Sequence, residues 1–250
     1  MPLSEVFPNP TVKQVVFAVQ FPNLFFIESK IGDLQMKIMD KFPESALLFQ
    51  RPVVFAMGEK IEDIQQKLPQ EQGVKIWQFN NSALGYTLAV SSNSLSITSN
   101  FHKTYNNQQA ENRFRDIIAH VLKPFFDLTN LPTVSRVGLR YIDECPFKER
   151  TTASFCSHFN SCFSTERFSI EDSVEHQYVA FVKRKDFFLR YAETYNSQTN
   201  PTSITLDFDG SAKDVPSPKC LDTADQLHVL IAEEYKSTIK GPVYDYMRGV

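Results

Sequence analysis

The stretch that most constrains this chain is Val134-Ser135-Arg136-Val137-Gly138-Leu139-Arg140-Tyr141-Ile142-Asp143. Its alternation reads as a β-strand, in which successive side chains point to opposite faces. Val137, Leu139 and Tyr141 then share one face, which suits a core. Arg136, Gly138 and Arg140 share the other. A glycine weakens a strand interior, so its place between two arginines marks a bulge or the close approach of another group.

The rest of the chain supplies strands and helices in alternation. Residues 12–21 read as a first strand, broken by Pro22-Asn23. Ile27, Ile31, Leu34, Ile38 and Phe42 fall at helical spacing and predict an amphipathic helix over 24–42, ended by Pro43. Residues 51–57 read as a short strand and 60–68 as a short helix. Strands at 74–79, 83–90 and 94–99, separated by polar turn residues, predict an antiparallel meander. A helix capped by Asn106 or Asn107 carries Ala110, Phe114, Ile117, Ile118, Val121, Leu122 and Phe125 on one face.

After Cys145-Pro146 the pattern recurs. A short helix is expected near 153–159, then strands at 177–184 and 186–193, turning at Lys185-Asp186. Residues 203–209 alternate, with Ile204, Leu206 and Phe208 on one face and Thr205, Asp207 and Asp209 on the other. Thr223 with Gln226 predicts a capping box opening a last helix, which Gly241-Pro242 terminates. Both halves, 1–146 and 147–250, thus read as a meander followed by a long helix. The expected fold is α+β: two antiparallel-sheet-plus-helix halves, helices packed on the sheets, separate or fused in one domain.

Common catalytic signatures are absent. No two glycines lie within two residues of each other, which removes G-x-G-x-x-G and Walker loops, and neither H-E-x-x-H nor G-x-S-x-G occurs. Cys156-x-His158-x3-Cys162 is the one metal-like cluster, but it lacks the paired spacing of a structural zinc site. Buried thiols explain it as well, and neither metal nor cofactor is expected.

Two constellations remain. Arg136, Gly138 and Arg140 with Asp207 and Asp209 could form a cross-strand ion-pair ladder. The same residues could clamp an anion or a peptide carboxylate, since arginine recognises both with two hydrogen bonds. Lys183, Arg184, Lys185 and Arg190, beside Phe187-Phe188, could meet nucleic acid through phosphates and stacking. A solvated hairpin tip explains them too, and the net charge of −3 argues against a phosphate-backbone partner. His120 and His228 are expected to be satisfied or surface histidines rather than bases.

The 22 phenylalanines predict a thick aromatic core, or a core plus an adhesive surface. The first residues lack a signal-peptide pattern, no run of apolar residues is long enough to span a membrane, and the four cysteines read as reduced thiols. A cytoplasmic protein without a membrane partner is expected.

The run from Arg136 to Asp143 resembles the signature of a sporadically distributed, uncharacterised family of prokaryotic proteins of this length, whose members usually carry Arg-x-Gly-x-Arg-Tyr-x-Asn. Leu206-Asp207-Phe208-Asp209 is similar to that family's later Leu-Asp-x-Asp strand, and a helix with Leu227, Ile231 and Tyr235 follows. Asp143 departs from the usual asparagine. The resemblance implies a prokaryotic accessory protein, with a patchy distribution that suits mobile or defence loci, including CRISPR neighbourhoods. With the missing motifs and the phenylalanine excess, it points to a non-enzymatic protein that binds another protein. The alternative is a small-molecule or nucleotide-sensing module, or a cryptic hydrolase, on the Arg/Asp face.

Overall fold

The computed structural model describes residues 6–50 and 73–250. Its strands are β1 (Val12–Gln20), β2 (Glu44–Gln50), β3 (Val74–Asn81), β4 (Tyr86–Val90), β5 (Ser94–Ser99), β6 (Thr133–Pro146), β7 (Glu175–Arg184), β8 (Phe187–Asn196) and β9 (Ser203–Pro216). They form one antiparallel sheet in the order β2-β3-β4-β5-β1-β6-β9-β8-β7. The helices are α1 (Ile31–Ile38), α2 (Phe114–Thr129), α3 (Thr152–His158), α4 (Cys220–Thr238) and α5 (Gly241–Arg248). The fold is α+β, with the helices packed on the sheet.

Element order repeats. A leading strand, a helix, a meander and a longer helix occur first as β1, α1, β2 to β5 and α2, then as β6, α3, β7 to β9 and α4. In each half the last meander strand returns beside the leading strand, as β5 on β1 and β9 on β6. The two leading strands pair with each other, Phe17 opposite Leu139 and Gln20 opposite Arg136. The expected boundary at 146/147 falls at the end of β6, within the second of these repeats, and strands on both sides of it lie in one sheet.

Pleating decides what faces the helices. Val15, Phe17 and Val19 on β1, Val137 and Leu139 on β6, and Leu206 and Phe208 on β9 are buried beneath α2 and α4. Those helices return Ile118, Val121, Phe125, Leu227 and Ile231 to the same core. Arg115 on α2 donates two hydrogen bonds of 2.8 Å to Asp225 on α4, fixing the helices to each other. Gly210 lets α4 approach β9: a Cβ there would lie 3.3 Å from Leu227 Cδ2. The opposite sheet face carries mainly small or polar residues such as Ala18, Ser96, Thr98, Gln14 and Ser211. The phenylalanines serve both expected ends: Phe17, Phe79, Phe114, Phe125, Phe155 and Phe208 fill the core, while Phe25, Phe168 and Phe181 are exposed.

Several local expectations differ from the structure. The first helix is shorter than predicted: a 3₁₀ turn at Ile27–Lys30 leads into α1, although all five apolar residues at helical spacing are buried. The expected strand at 51–57 and helix at 60–68 lie outside the described residues, and β2 was not predicted because its seven residues are all exposed and do not alternate. Asn107 caps no helix. Its carboxamide accepts from Gln109 N at 2.9 Å in a turn, and α2 begins at Phe114. Thr223 lies inside α4, which starts at Cys220 after a 3₁₀ turn, so it opens nothing. Gly241-Pro242 begins α5 rather than only ending α4, since a proline in the first helical turn forfeits no hydrogen bond. β9 runs on past the expected alternation at 203–209 to Pro216.

Phe17 sits fully buried at the central strand pair. Phe17→Ala should lower unfolding stability by about 3–5 kcal/mol, measured by urea denaturation.

Candidate functional site

β6 carries polar groups on both faces, and each face holds a candidate site. On the helix-free face, Arg140 lies opposite Asp209 and Arg190 on β8 lies opposite the same residue from the other side. Arg140 Nε and Nη2 donate to the two carboxylate oxygens of Asp207 at 2.7 and 2.8 Å. Arg190 Nη1 donates to Asp207 at 2.5 Å. Arg136 Nη2 donates to Asp209 at 2.9 Å.

To reach Asp209, Arg136 folds across Gly138. A Cβ on Gly138 would lie 2.5 Å from Arg136 Nη1 and 3.0 Å from its Cζ. The glycine therefore leaves room for a guanidinium. Arg136, Gly138, Arg140, Asp207 and Asp209 are thus brought together, with Arg190 added to them. Asp207 is 8% exposed. Burial would raise its pKa, but the hydrogen bonds from Arg140 and Arg190 outweigh that and hold it below the ordinary carboxylate value. The same bond to Asp207 raises the pKa of Arg140. Three guanidiniums and two carboxylates leave the cluster mildly positive, with both carboxylates already paired internally.

The other candidates are dispersed. Lys183 lies on the helix-free face of β7, Arg184 donates to Glu234 of α4 at 2.7 Å on the opposite side, and Lys185 occupies the turn at φ 55°. With Arg190 held by Asp207, these four make no single basic patch. Cys156 and Cys162 are exposed, and His158 is buried with Nδ1 2.7 Å from the Ser154 carbonyl. Among the described residues no three His, Cys, Asp or Glu side chains could jointly hold a metal ion.

On the helix side of β6 lies a cavity of about 130 Å³ that sequence reasoning did not anticipate. β6 contributes Tyr141 and Asp143, α4 contributes His228 and Tyr235, and Thr11 and Lys103 come from either side of β1 and β5. Thr11 Oγ1 donates to Asp143 Oδ1 at 2.8 Å and lies 2.6 Å from the Tyr235 hydroxyl. Burial raises the Asp143 carboxyl to about 7, partly offset by the Thr11 hydrogen bond and the charge of Lys103. The Tyr105 ring stacks on His228 with centroids 4.4 Å apart. His228 is not a satisfied histidine: its Nδ1 and the Tyr141 hydroxyl are enclosed without a hydrogen-bond partner. Burial lowers the His228 pKa to about 4, so the ring is neutral. The sequence did hold one sign of this site, a carboxylate at Asp143 in phase with Val137, Leu139 and Tyr141.

Neither the protein-family models nor the curated proteins contain a match to this chain.

Asp207→Asn removes the charge that pairs Arg140 and Arg190 and should lower stability by about 1–3 kcal/mol in chemical denaturation. Because the native pKa of Asp207 is depressed, its contribution is present above pH 3.8 and disappears as the pH falls below that value. The variant should lack that acid-limb loss.

Asp143 has the opposite sign. Its native pKa is raised, so stability associated with it is greatest below pH 3.8 and declines as the pH rises towards 7. Asp143→Asn should remove this decline and gain on the wild type between those limits in thermal melts.

Proposed function

We propose that this chain is a non-enzymatic binding protein that docks an extended segment of another protein against the β7 edge of its sheet. The observation that carries the reading is that edge. β7 pairs with β8 and with no other described strand, which leaves main-chain donors and acceptors along its outer side. Natural sheets usually guard such edges with charge, proline or a bulge. Here the charges of β7, Glu175, Lys183 and Arg184, lie at its ends, and residues 177–182 are uncharged. Val179 and Phe181 project on the helix-free side and are 41% and 78% exposed. An added strand would gain main-chain hydrogen bonds from the edge and side-chain contacts from these residues.

The Arg/Asp face supports the alternative of a small-molecule or nucleotide sensor, or a cryptic hydrolase, less well. Its carboxylates are paired, and it presents no activated nucleophile. Nucleic-acid binding through Lys183, Arg184, Lys185 and Arg190 is weakened by their separation onto different surfaces. A cytoplasmic accessory role, in a defence locus of the CRISPR type, belongs to the same proposal and rests on the motif resemblance. The four free cysteines suit a reducing compartment. Among the described residues no helix is long and apolar enough to cross a membrane.

The test begins with co-purification from the host, where mass spectrometry should find a stoichiometric product of a neighbouring gene. A Val179→Asp, Phe181→Asp double variant should lose that partner while keeping its circular dichroism and melting temperature. Retention of the partner by the folded variant, or a lone wild-type chain, would refute this reading.

A further inference from the structure

The cavity between β6 and α4 lies on the opposite side of the sheet from the Arg/Asp cluster and serves no purpose in edge binding. Its chemistry is specific. One wall is aromatic, formed by Tyr105 stacked on His228 at 4.4 Å, with the Tyr141 ring 5.9 Å from the same imidazole. Ile231 and Ala232 supply apolar surface. At its polar end the Asp143 carboxyl is 6% exposed. Tyr141 and His228 line this cavity, and behind its surface the Tyr141 hydroxyl and His228 Nδ1 are enclosed without a hydrogen-bond partner, which is rare in folded proteins. A void of about 130 Å³ is close to the roughly 150 Å³ that accommodates a single benzene ring.

We propose that this cavity binds a single-ring aminopyrimidine-type heterocycle, stacked among Tyr105, His228 and Tyr141, with its amino and ring-nitrogen edge paired to the Asp143 carboxyl. The charge inventory selects a neutral ligand. Lys103 donates to the carbonyls of Val12 at 2.8 Å and Asn100 at 3.1 Å and places a positive charge against Asp143. Asp225, held outside the cavity lining, is occupied by Arg115 and by the Tyr105 hydroxyl. A protonated carboxyl offers one donor and one acceptor, the complement of a ring nitrogen beside an exocyclic N–H. The hydroxyl chain from Tyr235 through Thr11 to Asp143 can reverse its direction of donation to suit either protonation state. A purely hydrocarbon ring would leave the carboxyl unmatched.

The experiment is calorimetric titration of the full chain at pH 6 with cytosine, 2-aminopyrimidine and cytidine, using benzene as the apolar control. Saturable binding of cytosine or 2-aminopyrimidine, and not of benzene, is expected. Cytidine separates the sources: binding equal to cytosine identifies the base of a nucleoside, and binding of the free base alone identifies a free heterocycle. Asp143→Leu should abolish binding, with circular dichroism to establish its fold. The Val179→Asp, Phe181→Asp variant should bind the heterocycle normally, so that this site and edge docking succeed or fail separately. No saturable binding of either heterocycle at millimolar concentrations, binding of benzene alone, or an unchanged Kd in a folded Asp143→Leu would overturn the proposal.

Discussion

The antiparallel pairing of β1 with β6 is the interaction on which everything else depends. It joins two meanders that would otherwise end in open edges, and it sets the phase of the whole sheet. With Phe17 opposite Leu139, every core residue of both strands faces the helices. Slipping the pair by one residue would carry that set to the other side, so burial of Val15, Phe17, Val19, Val137 and Leu139 locks the register. The break in pairing between Val12 and Gln14 lies at the end of the strand pair, outside the run from Val15 to Val19.

From this register follows the double character of β6. Neighbours in sequence serve opposite sides: Arg140 pairs with Asp207 on the helix-free face, while Tyr141 closes a cavity beneath α4. Asp143 stands in the core phase of the strand at a depth where a carboxylate is costly. The protein keeps it by raising its pKa and supplying Thr11 as a partner. On the other face, cost and compensation are more evenly matched, because each carboxylate meets a guanidinium in good geometry.

Sequence periodicity captured the strand around Arg136 and the amphipathic faces of α2 and α4, because their apolar spacing is regular and their burial one-sided. It also placed Asp207 and Asp209 in phase to meet Arg136 and Arg140, which the sheet then brought together. Arg190 was misread as part of a basic turn because its partner is set by a register between β8 and β9 that local sequence does not encode. β2 escaped notice because Leu47, Leu48 and Phe49 are consecutive and exposed. The cavity was illegible for another reason: Thr11, Lys103, Asp143 and His228 converge from four distant segments, and none belongs to a motif. Only Asp143, a charge on an apolar face, stood out.

The recurrence of element order on either side of β1 and β6 has a symmetry consequence. Two antiparallel strands meeting at the centre of such a sheet are related by an approximate twofold axis, the operator of an isologous dimer. A half-length chain ending after its long helix would expose its leading strand and could complete the sheet only with a second copy of itself. Joined in one polypeptide, the halves no longer have to be identical. The second carries arginines and aspartates on β6 and β9, where the first has Val16, Ala18, Ser96 and Thr98 on β1 and β5, an asymmetry that no homodimer built on the same axis could hold.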